Sequence, residues 1–275
     1  MELRLSYQPP FDWEGMLAFL SPRTLLGVEA VENGRYHRTY RSPEGPGWLS
    51  ISNGFNLLRI ECSGGKDFVA RKVTALFDLA CDPHEVCSSL QDLSIKNPGL
   101  RVPGAFDPFE MSVRAILGQQ ITVKFATTLG GRFAEAFGDD IETPVEGLRK
   151  VFPTAASIAG KTQDDIARLG VIGSRARAIL ALAEALASGD LNLEPGSDPE
   201  EARSRLIKLP GIGEWTAQYI CMRALRWSDA FPHTDLGVKK AMAAMGLEAT
   251  PEAAERWRPY RAYAVMHLWQ SLANS

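Results

Sequence analysis

Cysteine is scarce in this chain, and the four present, Cys62, Cys81, Cys87 and Cys221, form no Cys-x-x-Cys pair and no zinc-type spacing. They read as reduced structural thiols, because an isolated cysteine behaves as a small buried hydrophobe. No apolar run approaches the roughly 20 residues needed to cross a bilayer. The opening Met1-Glu2-Leu3-Arg4-Leu5-Ser6 has neither the basic start nor the apolar stretch of a secretory signal. A cytoplasmic or nucleoid location is expected, with no membrane partner. A positive charge balance is also missing. Net charge is −3 and the isoelectric point about 5.9, which taken alone weighs against nucleic acid as a partner.

The charge that is present is unevenly placed. Between Arg203 and Arg261 ten basic side chains face six acidic ones, so the rest of the chain carries −7. A local basic face on an acidic protein is compatible with DNA, because phosphates feel the nearby surface; a solvated helical surface explains the same charges.

Residues 1–98 and 99–275 differ in pattern. The first part holds short β-type runs at Tyr36 to Tyr40, Trp48 to Ile51 and Asn56 to Cys62, parted by turn signals such as Glu32-Asn33-Gly34 and Ser52-Asn53-Gly54. Arg35 to Tyr40 alternates aromatic with polar residues, as a half-exposed strand does. Helices are expected at Trp13 to Leu20 and Phe68 to Leu79, giving an α+β module. Beyond Pro98 the pattern is helical, with about eight to ten helices by mean helix length. Helix starts are marked by Asp107-Pro108-Phe109-Glu110, Asp198-Pro199-Glu200-Glu201 and Thr250-Pro251-Glu252, with Glu110 and Glu201 at the capping-box position. Val113, Ile116, Leu117 and Ile121 form an apolar stripe on the first of these, and another helix begins near Ser174.

The most informative stretch is Asp198 to Trp227, which reads helix, tight turn, helix around Leu209-Pro210-Gly211-Ile212-Gly213. Gly211 and Gly213 permit positive φ and close approach of another backbone. The second helix turns its unpaired amides outward, so a phosphate fits against the N–H groups of Gly211, Gly213 and Thr216, while Ile212 plugs the turn into the core. This segment, followed by Thr216-Ala217, resembles the helix-hairpin-helix of the base-excision DNA glycosylases, placed at about residues 199–227. The resemblance implies a hairpin that grips the DNA backbone without reading sequence, and a catalytic aspartate about twenty residues on. Asp235, in Phe231-Pro232-His233-Thr234-Asp235, stands there.

Members of that superfamily that also cut the strand use a lysine two residues after the last hairpin glycine. Here that residue is Trp215, which cannot form a Schiff base, so a monofunctional enzyme without lyase activity is expected. Some members carry an iron–sulfur loop needing four closely spaced cysteines; only Cys221 lies in the last hundred residues. The chain is most similar to the 3-methyladenine DNA glycosylase II subfamily, through Gln8-Pro9-Pro10-Phe11-Asp12-Trp13, Phe77-Asp78-Leu79, Arg114-Ala115-Ile116-Leu117-Gly118-Gln119, the hairpin, and Tyr263-Ala264 with His267-Leu268-Trp269. The similarity implies a TATA-binding-protein-like fold for the first module and double-stranded DNA with alkylated bases as substrate. It also implies a base pocket walled by Trp215, Tyr219 and Trp269, with Phe19, Arg23 and Leu236 beside them. A wedge filling the gap left by the flipped base falls on Gln120 or Ile121. The backbone carbonyls of Ile207, Leu209 and Ile212 are candidates to hold a structural Na+ or K+; no other cofactor is required, and a monomer is expected.

Each assignment has a plainer competitor. Asp235 precedes Leu236-Gly237-Val238 and also suits a helix cap, as does Thr234; capping and catalysis are compatible. Aromatics one helical turn apart, such as Trp215 and Tyr219, commonly pack a core. His233 matches no family position and reads as a surface residue. Two rival functions are a non-catalytic hairpin scaffold and a glycosylase for oxidised or mismatched bases.

Overall fold

Tight turns set the register of the sheet. In the computed structural model, which describes residues 1–273, Asn33 and Gly34 both take positive φ, 51° and 71°. That turn handedness matches strand twist and joins β2 (Glu29–Glu32) to β3 (Arg35–Ser42). With β1 (Glu2–Ser6), β4 (Gly45–Asn53) and β5 (Leu57–Cys62) they form one antiparallel sheet in the order β1-β5-β4-β3-β2. The two strands that sequence patterning does not predict, β1 and β2, are the two edges. Edge strands are kept short, which leaves little pattern to read.

Helices α1 (Trp13–Leu20) and α2 (Lys66–Leu76) cover the sheet, with Trp13, Met16, Leu17, Val69 and Val73 packed against Tyr36, Ile51 and Ile60. Asp12 caps α1 by accepting the Gly15 amide at 2.8 Å. The half-exposed reading of β3 is corrected: Tyr36 to Tyr40 are all buried. The helical region supplies the missing cover, since the Thr39 hydroxyl donates to the Lys150 carbonyl at 2.5 Å and Arg38 is paired with Glu110 at 2.6 Å. Polar residues on this strand meet protein where the alternation predicts solvent.

The remaining helices are α3 (Pro83–Leu90), α4 (Pro108–Leu117), α5 (Val123–Phe137), α6 (Ala155–Ala159), α7 (Gln163–Ala167), α8 (Gly173–Ser188), α9 (Pro199–Ile207), α10 (Glu214–Arg223), α11 (Leu236–Ala244) and α12 (Arg261–Ala273). They build two cores. One centres on α4, α5, α8 and α10; the other joins Phe231, Met242, Trp257 and Leu268 to Val86, Leu90, Leu100 and Val102. The chain thus changes pattern near Pro98, yet α3, on the earlier side, packs with the C-terminal helices.

Asp107 and Asp198 cap α4 and α9 through side-chain acceptance of backbone amides. The expected reciprocal bonds from Glu110 and Glu201 do not form. Glu110 pairs with Arg38 and Arg114, and Glu201 with Arg205, because a charged partner binds the carboxylate more strongly than a backbone amide does. Thr250 accepts the Ala253 amide but starts only turns and the 3-10 stretch Glu255–Trp257. Helix α4 ends at Leu117, so Ile121 lies beyond it in a turn. Among the described residues no helix is long and apolar enough to cross a membrane.

Candidate active site

The hairpin joins α9 to α10 as the sequence suggests, with one correction. Gly211 has φ 77°, but Gly213, the N-cap of α10, has φ −94°. The protein's own packing does not require glycine at 213 either: a Cβ built there meets nothing within 4 Å, which leaves the N-terminus of α10 open. Ile212 is buried in the central core. Gln119, at the end of the Ile-Leu-Gly-Gln run, donates to the Gly211 carbonyl and the Thr216 hydroxyl, each at 2.9 Å. It ties the turn carrying Gln120 to the hairpin.

Helix α10 presents Trp215, Tyr219 and Arg223 at i, i+4 and i+8, one face of the helix. Trp215 and Tyr219 stack with centroids 5.4 Å apart and planes 9° from parallel. The Tyr219 hydroxyl accepts from Arg223 at 2.6 Å, while Arg223 also donates to the Pro103 and Gly104 carbonyls. Neither motif nor family resemblance points to Arg223 as a wall residue; its helical spacing from Trp215 and Tyr219 is the signal that could have found it.

Gln218 accepts the Phe231 amide at 3.1 Å, fixing the segment that leads to Asp235. Asp235 is both cap and site residue. Its Oδ1 accepts the Val238 amide at 2.9 Å as N-cap of α11. Oδ1 also accepts the Trp269 indole N–H, and Oδ2 the Trp215 indole N–H, both at 2.9 Å. A carboxylate has about four acceptor positions; these donors occupy three and leave one on Oδ2. The tryptophans therefore hold the carboxylate by hydrogen bonds, a role that aromatic spacing does not reveal. Gly237 makes room for this arrangement, since a Cβ there would stand 2.9 Å from Cδ1 of Trp269.

Asp235, Trp215, Tyr219 and Trp269 line a cavity of about 330 Å³, closed by Arg23, Arg114, Arg223 and Ile121. Phe19 does not line it. It stands behind Arg23, whose guanidinium lies 3.9 Å from the ring centroid, with Arg223 5.1 Å from the same centroid. Leu236 is not in the wall either. As first residue of α11 it is turned outward by the Asp235 cap and is 66% exposed. Gln120 is exposed in the turn between α4 and α5 at φ 56°, whereas Ile121 faces the cavity. His233 is half-buried and uses its backbone amide, to the Phe231 carbonyl.

A buried ion cluster fixes the wall behind Arg23. Glu29 accepts from the Tyr36 hydroxyl at 2.5 Å, Arg114 at 2.7 Å and the Leu25 amide at 3.2 Å. Arg114 also donates to Glu110 at 2.9 Å and to the Arg23 carbonyl. Burial pushes the Glu29 carboxyl up, but Arg114 and Arg38 outweigh it and hold it below the ordinary carboxylate range.

The basic stretch is largely neutralised. Arg203, Arg205, Arg226, Arg258 and Arg261 are in ion pairs and Arg223 is buried. Lys208, Lys239, Lys240 and Arg256 are exposed and, among the described residues, without an ion pair.

Trp269→Phe is expected to keep the aromatic wall and delete one donor to Asp235. A hydrogen bond to a charged group is worth about 1.5–3 kcal/mol, so a reaction step that relies on this carboxylate should slow about ten- to a hundredfold, with ligand affinity within about twofold. Single-turnover kinetics alongside fluorescence anisotropy tests this; an unchanged rate removes the positioning role.

An open helix-hairpin-helix beside an aromatic cavity with a clamped carboxylate defines a class of DNA-base-processing proteins. Residues 2–107 match the AlkA N-terminal domain, and residues 113–258 match the HhH-GPD superfamily base excision DNA repair protein. The chain belongs to the HhH-GPD superfamily of base excision DNA repair proteins. It is 36% identical over 271 residues to DNA-3-methyladenine glycosylase 2 of Escherichia coli (strain K12), covering 96% of this chain and 95% of that protein. It is 37% identical to a probable bifunctional transcriptional activator/DNA repair enzyme AlkA of Mycobacterium tuberculosis, covering 100% of this chain and 58% of that one. The 3-methyladenine DNA-glycosylase from Archaeoglobus fulgidus shares the fold with a TM-score of 0.84 at 24% identity, over 98% of this chain and 97% of that one.

Proposed function

We propose that this chain is a monofunctional glycosylase that releases alkylated bases of the 3-methyladenine type from duplex DNA. The observation that carries the reading is Asp235, held by two indole N–H groups at the wall of the aromatic cavity with one acceptor position free on Oδ2. The hairpin amides, with Lys208 beside them in the chain and the exposed Lys239 and Lys240 on α11, take phosphates of the DNA backbone. Gln120 enters the helix at the vacated position while Ile121 remains in the cavity wall. The damaged nucleotide swings into the cavity at a cost of about a few kcal/mol, less for a base that is already poorly paired.

As the C1′–N bond breaks, the sugar becomes an oxocarbenium ion. A carboxylate fixed by two indole N–H groups stabilises that charge without reorganising, and its free Oδ2 position accepts a hydrogen bond from the attacking water. Trp215 stands where lyase members of the superfamily place a lysine, so water is the nucleophile. The enzyme acts as a monomer in the cytoplasm, associated with the nucleoid, and needs no redox or electrophilic cofactor. A Na+ or K+ ion would rest on the carbonyls of Ile207, Leu209 and Ile212. The Leu209 carbonyl already accepts the Ile212 amide at 3.2 Å, and a carbonyl oxygen has a second lone pair for a cation.

Chromatography of the material released from methylated duplex DNA tests the reading. Free methylated purines are expected, with no strand cleavage and no borohydride-trapped covalent complex. Absence of any free base, or trapping of the protein on DNA, overturns it.

A further inference from the structure

The cavity holds more positive charge than its aromatic walls suggest. Arg114 is balanced within a four-member cluster by Glu29 and Glu110, which also neutralise Arg38. Arg23 and Arg223 have no carboxylate partner among the described residues. Arg223 directs its donors to two carbonyls and the Tyr219 hydroxyl. Arg23 uses one, on the Phe19 carbonyl at 2.7 Å, and a guanidinium has five. The faces of Phe19 and Tyr219 already carry these resident cations, with Arg223 5.5 Å from the Tyr219 centroid.

The contacts order the wall. Asp235 touches Trp215 and Trp269; Trp215 stacks on Tyr219; Tyr219 bonds Arg223; Arg223 and Arg23 flank Phe19. Negative charge is at one end and two guanidiniums are at the other. A nucleotide with its sugar at Asp235 points the far edge of its base toward the arginines.

We propose that Arg23 is a specificity-determining residue for the leaving base: its free N–H donors take the carbonyl or ring-nitrogen edge of a neutral damaged base and stabilise the negative charge formed there. The inference rests on the glycosylase reading above. Heterolysis of the C1′–N bond leaves the electron pair on the base nitrogen. Water oxygen forms the new C1′–O bond. The proton it gives up ends on a base that was neutral, giving free base plus sugar hydroxyl, whereas a cationic base leaves as the neutral free base and the proton goes to solvent. A neutral base passes through an anion, which Arg23 stabilises. A cationic base passes from positive to neutral, so Arg23 opposes its binding but gains nothing in the transition state. Differential binding to the transition state is what alters kcat/KM. Arg23 thus favours neutral lesions with an acceptor edge over cationic ones.

The test compares one duplex carrying either hypoxanthine, which is neutral, or 7-methylguanine, which is cationic, with wild type, Arg23→Gln and Arg23→Lys. Removing a hydrogen bond to a charged group is worth about tenfold or more. For Arg23→Gln the ratio of kcat/KM on hypoxanthine to that on 7-methylguanine is expected to fall about tenfold, and half-saturation on the 7-methylguanine duplex to tighten. Arg23→Lys keeps the charge but loses the planar donor fork stacked on Phe19, so its ratio should fall between those of wild type and Arg23→Gln. A ratio unchanged in Arg23→Gln, an equal loss on both lesions, or a Lys variant as impaired as Gln overturns the proposal. Failure of wild type to release 7-methylguanine at all counts against the glycosylase reading instead.

Discussion

Asp235→Asn is expected to lower base release on the order of a thousandfold, while binding to abasic-site duplex stays within about threefold. Loss of one preorganised electrostatic group aimed at a developing charge typically costs about 10²–10³ in rate, and here the group opposes a full positive charge on the sugar. The fold should survive, because asparagine caps a helix about as well as aspartate and its oxygen can keep the Val238 amide and the Trp269 indole, both now on Oδ1. The amide nitrogen would then face the Trp215 indole N–H, donor against donor, replacing the 2.9 Å bond to Oδ2. That loss is local and costs about 1–3 kcal/mol. Single-turnover release from methylated duplex, with anisotropy on abasic duplex and a melting curve, separates the outcomes. Near-wild-type release would remove Asp235 from the chemistry and leave it a helix cap alone.

That double role explains why the site is only partly legible in the sequence. Features that depend on neighbours in the chain can be read. The hairpin at Leu209 to Gly213, the aspartate caps at Asp107 and Asp198, and the Asn33-Gly34 turn all arise within a few residues. Features that depend on distant partners cannot. Nothing local shows that Trp215 and Trp269 direct their N–H groups to Asp235, 20 and 34 residues away. Glu110 looks like half of a capping box because its true partner, Arg38, lies 72 residues earlier. Family resemblance puts Phe19 and Leu236 in the pocket, yet one is screened by Arg23 and the other turns to solvent. Arg223 is within reach of helical spacing, but an arginine at i+4 from a tyrosine usually snorkels to water. Here it is 2% exposed.

The largest stability effect is expected at Glu29. It lies directly across the antiparallel pair from Arg38 and reaches Arg114 on α4, so it joins the sheet to the helix that floors the cavity. Glu29→Gln preserves shape but leaves two buried guanidiniums sharing Glu110 alone. Removing one partner of a buried ion pair typically costs about 3–5 kcal/mol, read here as a lower urea midpoint at neutral pH. The sign of the pH dependence follows from the depressed carboxyl. Glu29 contributes fully above its ordinary value of 4.5, and the contribution is lost as pH falls through the lower value it has in the folded protein. The gap between wild type and Glu29→Gln should therefore be widest near neutrality and close under acid. A gap below about 1 kcal/mol at pH 7 would mean that Glu110 alone compensates both arginines. A Glu29→Met, Arg38→Met double variant should recover part of the loss, since it removes one charge of each sign. Because Arg114 also holds the Arg23 carbonyl, Glu29→Gln should slow base release beyond what its folded fraction predicts, by loosening the positive end of the cavity.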